Sequence, residues 1–186
     1  LPVWDEKEVK EITNLHNEAH VNLTDLPNCY NSSDHIDSIQ VKKHIFSKIS
    51  KYLEPLFENE LKNYKPIYIN FIGKKPGPYS NRSLHQDYSF CDERNFNGYN
   101  IWIPLQDITK ENSFFGIVKN SHLFEKTIRG RYIEHIYDSI DREIINHFSK
   151  NLYPKAGEAL IYNTASLHYT PDNISKNLRV AVSVMI

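Results

Sequence analysis

The segment Leu84-His85-Gln86-Asp87-Tyr88-Ser89-Phe90 places an imidazole and a carboxylate two residues apart in a stretch that has the composition of a β-strand. Because side chains alternate between the two faces of a strand, His85 and Asp87 are expected to share one face and Gln86 to point to the other. An imidazole and a carboxylate held in this way are two of the three ligands of the 2-His-1-carboxylate triad, which binds non-haem iron(II) and leaves coordination positions open. The segment therefore predicts a metal site on a β-sheet.

A third ligand and a nearby cation follow towards the carboxyl end of the chain. His168 lies in a second strand-like segment, with the hydroxyl of Thr170 on the same strand face, and Arg179 begins the next strand. A hairpin of these strands would place the arginine at a distance from the metal that a five-carbon dicarboxylate spans. A planar, permanently charged guanidinium suits a carboxylate better than an ammonium does, and a hydroxyl can add a hydrogen bond. The order of residues thus predicts that His168 completes the triad and that Arg179 and Thr170 hold the distal carboxylate of 2-oxoglutarate.

Each of these later residues also has an ordinary interpretation. A single histidine on an apolar strand is more often a hydrogen-bonded core residue. An arginine at the start of a strand is usually a surface charge, and a threonine before Pro171 fits a turn. The joint order favours the metal site: a strand-borne H-x-D, a later strand-borne histidine, a hydroxyl two residues on, and then an arginine.

The composition bounds the class of protein. A chain of 186 residues is most simply one domain with a core of its own. Its formal net charge of -1 provides no strong field for nucleic acid or an acidic membrane, and no apolar run reaches the roughly 18 residues of a membrane span. No signal peptide is visible, and Cys29 and Cys91 are isolated thiols. These features predict a cytoplasmic protein that binds neither nucleic acid nor membranes, and they leave its oligomeric state open.

Residues 1–65 are predicted to form helical support for a β core. Apolar residues recur at helical spacing over 5–20 and over 34–64, where Pro55 is expected to split or kink the helix. The first helix contains His16-Asn17-Glu18-Ala19-His20, but the H-E-x-x-H pattern of zinc proteases has its glutamate directly after the first histidine. We therefore interpret this motif as a solvated helix face. His35-Ile36-Asp37 is a second H-x-D sequence, but residues two apart on a helix do not face each other.

Residues 66–186 have the pattern of an antiparallel β-structure. Short β-rich segments recur without a crossover helix between most of them, which favours a sandwich or barrel over a parallel α/β sheet. The predicted strands are residues 67–72, 84–90, 99–105, 114–118, 158–162, 166–170 and 178–186. An insertion at about 123–152, with a helix over 141–152, interrupts them. The whole sequence, residues 1–186, is predicted to form a single, mainly β domain with its N-terminal helices packed on the outside.

A series of motifs runs in a fixed order through this β half. They are Lys75-Pro76-Gly77, His85-Gln86-Asp87, Trp102-Ile103-Pro104-Leu105-Gln106-Asp107-Ile108-Thr109, Glu111-Asn112-Ser113, Ile117-Val118-Lys119-Asn120-Ser121-His122, Ala156-Gly157-Glu158, Leu167-His168, Asn173 and Arg179. In order and spacing, the chain from about residue 70 to residue 186 resembles the phytanoyl-CoA dioxygenase-like family of iron(II)/2-oxoglutarate oxygenases. The resemblance implies a double-stranded β-helix, a cupin-like jelly-roll barrel whose inward side chains line the site.

The resemblance also implies roles for individual residues. It implies iron(II) at the three predicted ligands, the distal carboxylate of 2-oxoglutarate at Arg179 and Thr170, and Trp102 lining the co-substrate pocket, although Trp102 is equally well interpreted as a core aromatic residue. Two departures from the family pattern concern loop shape. Ser113 stands where glycine is usual, and Asn120 takes part in a turn usually made by Pro-Gly; asparagine tolerates the positive φ that such a turn requires.

The activity implied is hydroxylation of an unactivated C–H bond of a small-molecule metabolite by iron(II), 2-oxoglutarate and O2, with release of succinate and CO2. Halogenating relatives have a small residue in place of the carboxylate ligand, so Asp87 favours hydroxylation. Two alternatives are a non-catalytic jelly-roll protein that binds a metal or small ligand, and a zinc hydrolase that uses the same ligands. Arg179 favours the oxygenase because neither alternative has a use for it.

The identity of the substrate is not encoded in a recognisable motif. Basic residues near the predicted site are candidates for holding an anionic substrate, although a solvated rim is the more common role of such residues. They are Lys74, Lys75 and Arg82 beside the first ligand strand, and Arg129 and Arg131 in the insertion, which can act as a lid. Tyr88 and Phe90 are expected to shape the pocket wall.

Overall fold

A computed structural model describes residues 1–20, 30–124, 129–130 and 137–186 of the chain. These residues include the α-helices α1 (Glu6–His20), α2 (Ile39–Asn59) and α3 (Asp141–Phe148). The strands are β1 (Tyr30–Ser32), β2 (Tyr68–Lys74), β3 (Arg82–His85), β4 (Tyr99–Pro104), β5 (Phe115–Val118), β6 (Ser149–Leu152), β7 (Leu160–Asn163), β8 (His168–Thr170) and β9 (Arg179–Met185). The predicted strands of the β half are therefore present with small differences at their ends, except the one predicted over 84–90, of which only residues 84 and 85 lie in β3.

The strands form two antiparallel sheets of a jelly roll. One sheet has the order β1-β2-β9-β4-β7 and the other the order β3-β8-β5-β6. Strands that follow each other in sequence mostly enter opposite sheets, as β2 and β3 do, and again β7, β8 and β9. This alternation is the double-stranded β-helix that the sequence predicted, and it brings distant segments of the chain side by side.

The N-terminal helices cover the outer face of the larger sheet. The helix α1 begins with a reciprocal cap, in which the Glu8 backbone N–H donates to the Asp5 side chain and the Asp5 N–H donates to the Glu8 carboxylate. The buried faces of α1 and α2 join residues of the central strands in one core cluster, which includes Ile12, Ile49 and Phe71. Among the described residues, no helix combines the length and the apolar character that a membrane crossing requires.

Three details of the helical half differ from the prediction. The helix α2 is shorter than residues 34–64 and runs unbroken through Pro55. Lys51 and Pro55 are both exposed, so the carbonyl that lacks its N–H donor lies on the solvent side, where water can satisfy it. His35-Ile36-Asp37 lies ahead of α2, with His35 in a 3-10 turn, so this second H-x-D is not helical. Cys29 falls outside the described residues.

The predicted helix over 141–152 is wrong in its last four residues. The chain leaves the helix at Ser149, whose hydroxyl donates to the carbonyl of Ile145, and then forms β6. Strand β6 pairs with β5 along its whole length. The β1 strand was also missed, because its three residues lie in a stretch rich in turn-forming residues and are extended by pairing with β2. In both cases a partner strand decides the conformation.

Candidate metal centre

The three predicted ligands lie together between the two sheets. His85 ends β3 and His168 begins β8, and the two are direct partners across the antiparallel pair. Their ring centroids are 4.2 Å apart. Asp87 follows two residues after β3, and one ligand atom from each of the three side chains lies within 4.8 Å of the others. Nε2 of His168 is 3.6 Å from Oδ1 of Asp87.

Both imidazoles are oriented by the same backbone contact. Nδ1 of His85 is 2.7 Å from the carbonyl oxygen of Ser83, and Nδ1 of His168 is 2.9 Å from that of Ser166. A carbonyl can only accept a hydrogen bond, so Nδ1 carries the proton in each neutral ring. The Nε2 lone pairs are then available to a metal, which is the usual arrangement of histidine ligands.

Asp87 belongs to the predicted strand 84–90, but the observed strand β3 ends at His85. The alternation of side chains along a strand therefore does not place Asp87 beside His85, and that part of the prediction is wrong. The position of Asp87 is fixed by its backbone N–H, which donates to the carbonyl of Thr164 at 2.9 Å. Oδ2 of Asp87 accepts a hydrogen bond from Nδ2 of Asn100 at 3.1 Å, and Asn100 in turn accepts one from Ser183. The Asn100 bond occupies Oδ2, which leaves Oδ1 for the space shared with the imidazoles.

Arg129 is a buried partner of the ligand loop, so its predicted place on a solvated rim is wrong. The residue is 6% exposed, and its Nε donates to the carbonyl oxygen of Asp87 at 2.7 Å. Its Nη1 donates to the carboxylate of Glu93 at 2.8 Å, forming a buried ion pair. Neither Glu93 nor this pairing had a signal in the sequence, because the partners are far apart in the chain. Arg131 lies outside the described residues.

The predicted co-substrate residues lie beside this centre. Arg179 opens β9, is 1% exposed, and places its guanidinium carbon 5.2 Å from the centroid of the Trp102 ring. The Trp102 ring packs on Phe115 at 5.5 Å between centroids, and Phe115 stacks on His168 at 5.3 Å with the rings 6° from parallel. Thr170 shares the inner face of β8 with His168. The structure therefore connects the arginine to the ligand cluster through two aromatic rings.

Lys74 is the second basic residue whose predicted solvated position is wrong. It is fully buried, and its Nζ lies 2.6 Å from the hydroxyl of Thr170 and 2.9 Å from that of Ser113. Burial, and secondly the charge of Arg179, lower the pKa of Lys74 to about 6. The other basic candidates differ, because Arg82 is exposed and Lys75 is half-buried. Of the predicted wall residues, Tyr88 is half-buried and Phe90 is exposed.

The histidine pair of α1 is not a solvated helix face. His16 and His20 are buried, and their rings stack at 4.2 Å between centroids with the edge of Phe71 against them. Burial, and secondly the proximity of His20, lower the pKa of His16 to about 4. Glu18 of the same motif is exposed, so it does not join the pair.

The family of the chain follows from a comparison with family models. The model described as phytanoyl-CoA dioxygenase (PhyH) matches residues 2–181. The chain belongs to the phytanoyl-CoA dioxygenase family. The resemblance found in the sequence is confirmed, and the match extends over the N-terminal helices of this phytanoyl-CoA dioxygenase family protein. No curated protein matches the chain significantly.

Solved structures share the fold of this family member at low sequence identity. The non-haem α-ketoglutarate-dependent carbocyclase SnoK from nogalamycin biosynthesis has a TM-score of 0.68 and 16% identity, covering 98% of this chain and 76% of SnoK. EvdO2 from Micromonospora carbonacea var. aurantiaca, complexed with 2-oxoglutarate, has a TM-score of 0.70 and 16% identity, covering 99% and 82%. The epimerase SnoN, in complex with Fe3+, α-ketoglutarate and nogalamycin RO, has a TM-score of 0.67 and 14% identity, covering 99% and 75%. These similarities establish the jelly-roll fold.

Proposed function

We propose that this protein is an iron(II)- and 2-oxoglutarate-dependent oxygenase that hydroxylates an unactivated C–H bond of a small-molecule metabolite. The observation that carries the proposal is the convergence of His85, Asp87 and His168, with one ligand atom from each within 4.8 Å of the others. These residues come from a strand, the loop after it and a strand of distant sequence position. Membership of the phytanoyl-CoA dioxygenase family supports the same reading.

The donor set fits iron(II). His85, Asp87 and His168 would hold the metal through two neutral imidazoles and one carboxylate, the donor set of non-haem iron(II) sites that keep positions open. The backbone carbonyls of Ser83 and Ser166 hold each imidazole in the tautomer that offers Nε2. Asn100 holds the carboxylate of Asp87 by one oxygen, which favours binding of the metal through the other.

The co-substrate pocket is proposed to contain Arg179, Thr170 and Trp102. A buried guanidinium has the charge and the paired N–H donors to bind a carboxylate, and burial strengthens that interaction because water does not compete. Trp102 limits the movement of the guanidinium by packing against it. EvdO2 and SnoN contain 2-oxoglutarate in their solved structures, which makes this dicarboxylate the first ligand to test.

When bound, the metal and 2-oxoglutarate supply the oxidising chemistry, in which O2 is consumed and succinate and CO2 are released. The protein supplies position, because the three ligands and Arg179 fix where the co-substrate lies relative to the metal. Asp87 would supply a carboxylate ligand to the metal, which favours hydroxylation over halogenation. SnoK is a carbocyclase and SnoN an epimerase, so the same fold supports other outcomes.

The substrate is proposed to be a small molecule bound near the loop that follows β3. Tyr88 and Phe90 lie in this loop, and their ring centroids are 6.0 Å apart. Arg129 engages Glu93, so it is no longer a candidate for binding an anionic substrate. Lys75 and Arg82 remain candidates for binding an anionic substrate. Because the candidates are fewer than the sequence predicted, an anionic substrate has less support.

Anaerobic titration with iron(II) and then 2-oxoglutarate tests the proposal. The expected result is a weak visible charge-transfer band when the co-substrate chelates the metal. The His168→Ala variant should lose the band, whereas His147→Ala, at an exposed position of α3, should keep it. Absence of the band in the parent protein would contradict the oxygenase. Metal binding without the band, and without succinate release over a broad metabolite set, would favour a non-catalytic metal-binding barrel.

A further inference from the structure

Two cationic side chains lie next to each other in the buried part of the larger sheet. Lys74 ends β2 and Arg179 begins β9, and they are direct partners in the antiparallel register. Partners in such a pair project from the same face of the sheet with their Cβ atoms about 5 Å apart. Lys74 is 0% exposed, so burial places two like charges next to each other at a high electrostatic cost.

The hydrogen bonds of Lys74 determine how a change in its protonation state affects the neighbouring groups. The hydroxyl of Ser113 donates to the carbonyl of Pro171 at 2.6 Å, so its oxygen can only accept from Nζ of Lys74. The Pro171 carbonyl is also only an acceptor, at 2.7 Å from Nζ. These two acceptors occupy two N–H groups of Lys74. Nζ also lies 2.6 Å from the hydroxyl of Thr170, much closer than the 3.4 Å to the carbonyl oxygen of the same residue.

The direction of the Thr170 contact depends on the charge of Lys74. An ammonium has a third N–H and donates it to Oγ1 of Thr170, so the threonine keeps its own proton to donate elsewhere. A neutral amine has only two N–H groups, so it accepts the threonine proton on its lone pair. The hydroxyl of Thr170 is therefore a donor to a ligand only while Lys74 is charged.

We propose that Lys74 is a positioning residue of the co-substrate pocket: when a dicarboxylate binds at Arg179, Lys74 becomes an ammonium and directs the hydroxyl proton of Thr170 onto the distal carboxylate. This inference rests on the proposed function and adds a residue and a proton to it. The proton comes from solvent, so one proton is taken up for each dicarboxylate that binds to a protein whose Lys74 is neutral.

The electrostatic surroundings support this coupling. Burial and the positive charge of Arg179 lower the pKa of Lys74 to about 6, while the carboxylate of Asp172 acts in the opposite direction. Near pH 7 the amine is therefore the main form in the ligand-free protein. A dianion at Arg179 offsets the repulsion and raises the pKa of Lys74 in the complex.

Ser113 supplies an independent observation. Its backbone has a φ of 81°, a left-handed conformation that is uncommon and costly for a residue other than glycine. The family usually has glycine here, so this chain keeps a serine at an unfavourable backbone position. The serine hydroxyl accepts from Lys74 at 2.9 Å, which gives the strained residue a function in holding the lysine.

Proton uptake by the wild-type protein is the first test. Binding of 2-oxoglutarate to the protein loaded with Mn(II), a metal that need not turn over, is measured calorimetrically in two buffers of different ionisation enthalpy. At pH 7.5 we expect uptake that approaches one proton per 2-oxoglutarate. Between pH 6 and 8 the affinity should fall with rising pH, by up to about tenfold per pH unit. Binding without proton uptake would overturn the coupling.

Variants separate positioning from support of the fold. At pH 6, Lys74→Met should weaken 2-oxoglutarate binding about tenfold and abolish the proton uptake, and Thr170→Val should weaken binding similarly. The double variant should bind no more weakly than the single ones, because Lys74 acts through Thr170. The matched control is Lys48→Met, at an exposed position of α2, which should retain the wild-type affinity and proton uptake. If Lys74→Met does not fold, Thr170→Val and the wild-type proton count still decide the question.

The outcomes distinguish this inference from the proposed function. Wild-type protein that binds 2-oxoglutarate, together with a Lys74→Met variant that binds it equally tightly, would overturn the inference alone. Wild-type protein that binds no 2-oxoglutarate in the presence of metal would overturn both.

Discussion

Nδ2 of Asn100 lies 3.1 Å from Oδ2 of Asp87 and donates a hydrogen bond to it across the space between two separate segments of the chain. Asn100 is itself fixed, because its side-chain oxygen accepts a hydrogen bond from Ser183 on the neighbouring strand β9. The larger sheet thereby sets the orientation of a carboxylate that belongs to the loop after β3. Such indirect supports orient metal ligands without touching the metal.

The Asn100→Ala variant should weaken metal binding while the fold remains intact. Loss of the hydrogen bond frees the Asp87 carboxylate to rotate, and changes of this kind typically cost about ten- to a hundredfold in metal affinity. Competition with a chromophoric chelator measures the effect. The control is Asn151→Ala on the exposed strand β6, which should bind metal as the parent does. If Asn100→Ala binds metal as tightly as the parent, the backbone hydrogen bond from Asp87 to Thr164 is sufficient to hold Asp87 in place.

The Arg129–Glu93 pair should be important for stability as a pair. Removing one partner leaves an uncompensated buried charge, which typically costs about 3–5 kcal/mol. We expect Arg129→Met to lower the free energy of unfolding by about that amount, and the double variant with Glu93→Gln to recover part of the loss. Denaturant unfolding of the parent, the two single variants and the double variant measures the coupling.

Metal affinity is a second measurement on the Arg129–Glu93 pair, because Arg129 is hydrogen-bonded to the loop that contains Asp87. Nε of Arg129 donates to the backbone oxygen of Asp87, and the double variant lacks this bond even where it regains stability. We therefore expect the double variant to bind metal more weakly than the parent. If the double variant recovers both the stability and the metal affinity of the parent, Arg129 and Glu93 only balance each other's charge.

The buried histidine pair should make the protein less stable in mild acid. The pKa of His16 is about 4 in the folded protein and about 6.5 in an unfolded chain, so the unfolded state takes up the proton first. The stability contributed by the neutral ring is present above pH 6.5 and is lost as the pH falls towards 4. Between pH 7.5 and pH 5 this amounts to about 2 kcal/mol of unfolding free energy.

Urea unfolding at the two pH values tests this prediction. His16→Leu should reduce the pH dependence, because an apolar side chain at this buried position has no proton to gain. His44→Gln, at an exposed position of α2, should leave the pH dependence as it is in the parent. If His16→Leu loses as much unfolding free energy between pH 7.5 and pH 5 as the parent does, groups other than His16 cause the acid sensitivity.

The sequence predicted the parts of the site that rest on local periodicity and on order along the chain. His85, Asp87, His168 and Arg179 could be found because a family motif specifies the position of each, and all but Asp87 also lie in an observed strand. The same reasoning located Asn120 in a left-handed turn, and its φ is 64°. The roles of these residues toward iron and 2-oxoglutarate remain predictions.

What the sequence could not predict depends on contacts between distant segments. Lys74 and Arg129 have the composition of a solvated rim, yet each is buried against acceptors that lie 36 or more residues away in the chain. Strand β6 has no β signal of its own and forms because β5 offers an edge. The helix pattern alone predicts that His16 and His20 are exposed, because it does not show that a sheet residue, Phe71, covers them.

Arg179→Lys should weaken 2-oxoglutarate binding by about ten- to a hundredfold and leave metal affinity unchanged. A lysine keeps the charge but loses the paired N–H donors and the planar contact with Trp102, which together fix the direction of the guanidinium. Titration of the Mn(II)-loaded protein with 2-oxoglutarate, alongside a metal titration without it, separates the two effects. Arg142→Lys, at an exposed position of α3, is the matched control and should behave as the parent does. If Arg179→Lys and the parent bind 2-oxoglutarate equally tightly, Arg179 is not the anchor of the co-substrate. If the variant also loses metal affinity, the substitution disturbs β9 and the packing of Trp102 and Phe115 against His168.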